Sequence, residues 1–375
     1  MNSKLLAFVV ACLIVSLVVL NFGFLPETQT EVPDFFVGIS VAYADMDAIK
    51  DLIDEVSSYT NIFVIGSTGI SVFEEKLDEI CQYLVDRDMY FVVYEASHSH
   101  LDLIGEIEKR FSDNFLGVYF GDEHGGEHLD KTEVRWVTEA DNNTDAADQF
   151  VYHLHWWLHV KEFRGVVFPY ASSDFQLFTA DYALYWFDYL AGYDVVLAEF
   201  GWNYSRQINV ALNRGAATIQ NRDWGVIVTW TYNNPPYIGS GEELYNDLVF
   251  AYDNGAKYVL VFDSNENYTT SILGDEHFEA LERFWQYTLD NPNPEVIERV
   301  AFVLPKDFGY GFRGPKDKIW GLWEADATSL EISYHLGEFL AQYGTRLDVI
   351  YDENLALDQT YSKYIFWNGT IISPK

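Results

Sequence analysis

The chain has 375 residues, enough for a (β/α)8 barrel of roughly 250 residues together with an anchor and a small annex. An apolar fraction of 49% with 17% aromatics excludes a disordered chain. A formal charge of −35 argues against nucleic acid and against the anionic inner face of a membrane as partners.

Leu5 to Leu25 carries no charge, follows Lys4, and is about long enough to cross a bilayer as a helix. Val9-Val-Ala-Cys12 faintly resembles a lipoprotein box, but the apolar run continues past the cysteine, and Phe22-Gly-Phe-Leu-Pro26 offers no small-x-small cleavage site. The expectation is an uncleaved single-pass signal anchor over residues 1–26 in the cell membrane, with everything beyond it extracytoplasmic. Sequons at Asn142, Asn203, Asn267 and Asn368 are compatible with that side. With Cys12 inside the apolar run, Cys81 has no disulfide partner, and no cysteine-based metal site can form.

Residues 27–34 read as a polar linker. Eight strand-like runs follow over residues 35–290: Phe35 to Tyr43, Asn61 to Gly66, Tyr90 to Ala96, Phe115 to Gly121, Gly165 to Tyr170, Val195 to Phe200, Trp224 to Tyr232 and Tyr258 to Asp263. Helix-like stretches with apolar residues three and four apart separate them, among them Leu101 to Phe111, Ala147 to Glu162, Thr179 to Ala191 and Tyr204 to Arg214. Eight βα units predict a closed (β/α)8 barrel, with an open doubly wound sheet as the alternative. Residues 297–375 predict a small βαβ annex: a strand ending at Leu304, a helix over Ser329 to Tyr343, and strands at Leu347 to Tyr351 and Tyr364 to Trp367.

In a parallel barrel the strand tips form the floor of the active site. Gly117-Val-Tyr-Phe-Gly-Asp-Glu-His-Gly-Gly runs an apolar strand into Asp122, Glu123 and His124. Asp122 alone could be a helix cap, but a cap does not explain two adjacent acids. Other tips carry Glu95 with His98, Tyr170 with Asp174, Glu199 with Trp202 and Asn203, Thr229 to Asn234, and Asp263 with Asn265. Clustered carboxylates with interleaved rings are what glycosidic bond cleavage needs, one group protonating the leaving oxygen while another acts as nucleophile or base. Strands four and six face each other across the mouth. Glu123 is therefore assigned proton donor, its pKa raised by Asp122, and Glu199 nucleophile or base. An ion pair with Arg206 or Arg214 is the competing account of Glu199. Glu95, His124, Tyr170, Trp202, Asn203, Trp230, Tyr232 and Asp263 are the candidate substrate-binding residues.

The strand-four motif resembles that of (β/α)8 glycoside hydrolases, which end this strand in Asn-Glu or Asp-Glu-Pro with the Glu as acid; here His124 replaces the Pro. Retaining barrels of the large clan carry a second Glu at the end of strand seven, but that tip here, Val228-Thr-Trp-Thr-Tyr232, has no acid. Barrels of the α-galactosidase and α-glucosidase kind use strands four and six, as Glu199 would, although with aspartates. The annex loosely resembles the flavodoxin-like domain of some β-galactosidases, and the run Trp224 to Asp263 resembles exported archaeal proteins.

The resemblance implies a glycoside hydrolase acting on a polysaccharide or glycan, and the N-terminal run makes it a membrane-anchored one; no cofactor is expected. The alternatives are a non-catalytic glycan-binding barrel and a metal-dependent carbohydrate deacetylase using the same acids with His98 or His124. His155 and His159, four apart on a helix, lack the Glu of a zinc protease after the first His, where Trp156 stands, and read as packing or solvent-facing residues.

Overall fold

A computed structural model describes residues 33–159, 162–163, 166–167, 175–292, 298–353 and 360–374. The expected anchor lies outside them, and among the described residues no helix is long and apolar enough to cross a membrane.

Eight parallel strands close a barrel: β1 (Phe36–Val41), β2 (Ile62–Ile65), β3 (Tyr90–Glu95), β4 (Phe115–Phe120), β5 (Gln176–Asp181), β6 (Val195–Phe200), β7 (Asp223–Val228) and β8 (Tyr258–Asp263). β1 pairs with β8, so no edge is left open. The runs are rich in Val, Ile and Phe because both faces are buried, one on the barrel axis and one under helices. Alternation then sorts the side chains. Phe36, Ile62, Val64, Val92, Tyr119, Phe178, Val195, Leu197, Ile227, Tyr258 and Leu260 fill the barrel, with Phe36 stacked on Tyr258 at 5.0 Å between ring centroids. Their sequence neighbours, such as Val93, Phe120, Val196 and Val261, face the helices instead.

The fifth strand is not where the sequence placed it. Of the expected run Gly165 to Tyr170 only Val166–Val167 is described, a two-residue strand paired antiparallel with Glu162–Phe163 outside the barrel. The barrel strand is Gln176–Asp181, in register with Gly117 to Tyr119 on one side and Val195 to Ala198 on the other. Its residues from Thr179 onward fall into the window Thr179 to Ala191, whose apolar spacing reads as helix. The helix there starts only at Tyr185, and pairing with two flanking strands overrides the local pattern.

Around the barrel lie α1 (Met46–Val56), α2 (Glu74–Val85), α3 (Leu101–Arg110), α4 (His124–Asp130), α5 (Asn143–His159), α6 (Tyr185–Ala191), α7 (Arg206–Gln220), α8 (Gly241–Asp253) and α9 (Asp275–Asp290). Amphipathy places them: α1 buries Ile49, Leu52, Ile53 and Val56 and exposes its acids. Asp45 caps α1 by accepting from the Asp47 and Ala48 amides, both at 3.1 Å.

The C-terminal part forms a four-stranded sheet of β9 (Val300–Leu304), β10 (Leu347–Tyr351), β11 (Lys363–Phe366) and β12 (Ile371–Ile372), with α10 (Ala327–Tyr343) beside it. This sheet and the barrel belong to one compact unit, Phe35–Lys375. They meet at α7, where a side chain on Gly215 would put its Cβ 2.4 Å from the Val349 carbonyl oxygen; only glycine permits that approach. Beside it the fully buried Asp348 accepts from Arg214 Nε at 2.7 Å and Arg299 Nη1 at 3.1 Å. Removing the carboxylate leaves a buried guanidinium uncompensated. Asp348→Ala is therefore expected to lower stability by about 3–5 kcal/mol in urea unfolding, against near zero for a surface pair such as Lys318 with Glu324.

Candidate functional site

The mouth of the barrel holds a cavity of about 340 Å³. Its walls include Tyr94, Tyr119, Trp230, Phe262 and Tyr268, and its polar lining includes Ser40, Asp122, Glu199 and Thr229. A buried site walled by rings with a few convergent polar groups is the usual form of a small-molecule pocket.

Strand alternation decides which acids reach it. On β6, Val195 and Leu197 point into the barrel, so Glu199, two further on, points in as well and lies fully buried at the cavity floor. On β3, β5 and β8 the inward residues are Tyr94, Ala180 and Phe262, which turns the tip acids Glu95, Asp181 and Asp263 outward toward the helices. Asp263 accepts from Tyr43 Oη at 3.1 Å, Ser271 Oγ at 2.9 Å and the Ile272 and Leu273 amides at 2.7 and 3.2 Å. It ties down the loop after β8 instead of gripping a ligand. Glu95 accepts from the Ser97 amide at 2.8 Å and faces His100 at 3.3 Å, away from the cavity.

Past β4 the chain turns at Gly121, whose φ of +71° and contact with the His124 and Trp157 rings leave no room for a Cβ. Asp122 does not cap the next helix. It accepts from Tyr119 Oη at 2.6 Å and lines the cavity. Glu123 sits at φ +50°, a left-handed conformation uncommon for a residue with a side chain and a mark of functional positions. Three hydrogen bonds hold it there. Its amide donates to the Ala180 carbonyl at 2.9 Å, and the first turn of α4 is bound by Asp181, which accepts from the Gly125 and Gly126 amides at 2.5 and 2.8 Å. Asp181, unmarked in the sequence, is thus the cap that positions Glu123.

The Glu123 and Glu199 carboxyls meet within hydrogen-bond reach of each other. Neither arginine that could have neutralised Glu199 does so: Arg206 binds Asp247 at 3.1 Å and Arg214 binds Asp348. Burial, then the charges of Glu123, Asp122 and Asp181, push Glu199 well above the usual carboxylate range. Burial also raises Glu123, while its hydrogen bond to Glu199 works the other way. Crowding by the surrounding protein and then the Glu123 charge raise Asp122, although its side chain keeps an exposed face at the cavity wall. Beneath them Asp181 is pushed to about 7, mainly by burial, despite its backbone donors. Asp188 on α6, fully buried with no donor to either oxygen among the described residues, is raised by burial and by Asp181.

The remaining expected residues scatter. His124 is packed edge-on against Trp136 and Trp157 at 5.3 and 4.9 Å, and burial lowers its pKa to about 4, so it is a neutral packing group. Trp230 lines the cavity, its Nε1 donating to the Ser264 carbonyl at 2.8 Å. Trp202, Asn203 and Tyr232 surround a separate, open depression. Tyr170 lies outside the described residues. Tyr94, Tyr119 and Tyr268 were not singled out in the sequence; inward parity at the strand tips marks the first two. Among the described residues no group of three His, Cys, Asp or Glu side chains is arranged to hold a metal ion.

Neither protein-family models nor curated proteins give a match. Among solved structures the chain is similar to an endo-β-1,4-mannanase from Thermotoga petrophila, with 7% identity over 72% of this chain and 82% of that one and a TM-score of 0.44. It is also similar to an N-acetylneuraminic acid synthetase from Leptospira borgpetersenii, with 7% identity over 71% and 87% and a TM-score of 0.40. A D-psicose 3-epimerase from Clostridium cellulolyticum matches with 13% identity over 68% and 98% and a TM-score of 0.33. No residue role is taken from likenesses this distant.

The protonation of Asp188 is measurable. The unfolded chain releases this proton near the ordinary value of 3.8, whereas the folded protein keeps it, so stability falls as pH rises above about 4. Asp188→Asn removes that proton from the balance. The stability of the variant is expected to decline less than that of the wild type as pH rises from about 5, read in urea titrations at each pH. Parallel curves for the two proteins would mean that Asp188 is ionised.

Proposed function

We propose that the barrel is a glycoside hydrolase in which Glu199 donates the proton and Glu123 attacks. The observation that carries this reading is the Glu123 and Glu199 pair, two carboxyls from β6 and the β4 turn that meet beside a cavity walled by aromatic rings. A glycosidic bond entering between them would take the proton of Glu199 on its leaving oxygen, while Glu123 forms the bond to the anomeric carbon. Water then gives up its proton to Glu199 and releases the sugar from Glu123. The roles are the reverse of those that sequence adjacency suggests. Asp122 is not among the leading influences on Glu123, whose hydrogen bond to Glu199 favours its charged form, whereas Glu199, buried and ringed by three acids, is pushed well above the usual carboxylate range. Asp122, fixed by Tyr119, would orient substrate. The uncharged run Leu5 to Leu25 supports an extracytoplasmic location.

A second reading, a barrel that binds glycan without cutting it, is favoured by the hydrogen bond between the two carboxyls, which leaves no gap for a glycosidic oxygen between them. Kinetics separate the readings. Glu199→Gln is expected to lose roughly 10²–10⁴ of the rate on a natural glycan and much less on an aryl glycoside with a good leaving group, which needs no acid. Glu123→Ala should lose both and recover turnover with azide. A wild-type protein that binds glycans but releases no reducing ends would establish the second reading, and full activity in Glu199→Gln would remove Glu199 from the chemistry.

A further inference from the structure

A second hollow of about 600 Å³ opens beside the mouth, outside the cavity that holds the acids. It is formed by the loops that follow β6 and β7, with Trp202 and Asn203 on one side and Tyr232, Asn233, Asn234 and a proline pair on the other. These loops are fastened to each other and internally. The Trp202 amide donates to the Trp230 carbonyl at 2.8 Å, and the Thr231 and Tyr232 amides both donate to the Tyr237 carbonyl, at 2.7 and 2.9 Å. The hollow is therefore a formed surface continuous with Trp230, which walls the cavity.

Its chemistry is narrow. Trp202 and Tyr232 offer flat apolar faces, and Tyr232 is 46% exposed with no packing partner among the ring pairs of the described residues. Asn203, Asn233 and Asn234 offer side-chain amides that no other described group engages, each able to donate and accept at once. In a chain of net charge −35 not one residue lining this hollow is charged. Rings for the C–H face of a pyranose and amides for its hydroxyls suit a sugar; the lack of a cation gives nothing to hold an acidic one.

We propose that this hollow is a binding subsite for neutral sugar units of a chain whose next units enter the acid cavity, so the ligand is a neutral oligo- or polysaccharide. The proposal rests on the glycan reading of the cavity but not on catalysis. Trp202 sits three residues beyond Glu199 and Thr231 directly beyond Trp230, which places the hollow where a chain leaving the cavity over the β6 and β7 tips would lie.

The test uses the full chain carrying Glu199→Gln, so that no turnover is required, in native gels containing galactomannan, mixed-linkage β-glucan, arabinoxylan or, as the anionic control, polygalacturonate. At least one neutral polysaccharide should retard the protein and polygalacturonate should not. Adding Trp202→Ala should weaken that retardation about 3- to 10-fold, the scale of one lost stacking contact. Because Trp202 is half-buried at a positive φ, Tyr232→Ala with Asn233→Ala forms a second variant on the exposed side, expected to weaken binding similarly at an unchanged melting temperature. Equal retardation of parent and variants, retardation by polygalacturonate alone, or none by any neutral chain would overturn the subsite. Hydrolysis by the protein with Glu199 restored is read separately, so a functional subsite on a non-cutting barrel and a failed subsite on a cutting one give different results.

Discussion

The site depends on the burial of carboxyls without a matching cation. Asp181, Asp188 and Glu199 are buried, with the half-buried Glu123 and the more exposed Asp122 beside them, and the only cation among the leading influences on any of the five is the largely exposed Lys131, itself paired with Glu127. Ionising the three buried acids together in a low-dielectric setting is costly, which favours retained protons. The cluster is stabilised by sharing them, by the Tyr119 hydroxyl on Asp122, and by backbone amides on Asp181. A group of acids that keeps protons near neutrality is the raw material of acid and base chemistry.

Geometry follows from the same constraint. Asp181 turns away from the cavity because Ala180 faces it, and in doing so reaches the N-terminus of α4 from the neighbouring strand. The positive end of that short helix is one of the few places where a buried carboxylate finds donors. The side chain that meets Glu199 belongs to the residue just before that helix, held in left-handed conformation. Strain at Glu123 is thus offset by hydrogen bonds made through Asp181, which makes Asp181 a positioning residue.

The barrel was legible in the sequence because a strand buried on both faces can hardly be written without a run of Val, Ile and Phe, and seven of the eight runs coincide with barrel strands. The fifth was missed because Gln176-Leu-Phe-Thr-Ala-Asp181 is partly polar and leads straight into a helix, so no turn residue punctuates it. That error hid Asp181 and put Tyr170 in its place. Among the site residues, the strand-four motif pointed to Asp122 and Glu123, and the tip of strand six, facing strand four across the mouth, pointed to Glu199. Glu95 and Asp263 were included because proximity to a strand tip was taken as sufficient. Counting parity back from Val93 and Val261 turns both outward, and that information was present in the sequence. Which acid holds the proton was not, because adjacency in the chain says nothing about burial depth.

The C-terminal sheet bears on the mouth through the loop between β9 and α10. Trp320, fully buried, packs against Phe187 of α6 at 4.7 Å, Phe150 of α5 at 5.7 Å and His128 of α4 at 6.0 Å. Arg313 from the same loop pairs with Asp130 at the end of α4 and lies over the Tyr182 ring, which stacks on Tyr204 at 5.5 Å. The short α4, seven residues long, is therefore clamped at its start by Asp181 and at its end by Arg313. A helix of two turns has little stability of its own in water. Glu123, the residue that opens it, accordingly owes its position to both parts of the fold, and this gives the C-terminal sheet a stake in the geometry of the acid pair although it contributes no side chain to the cavity.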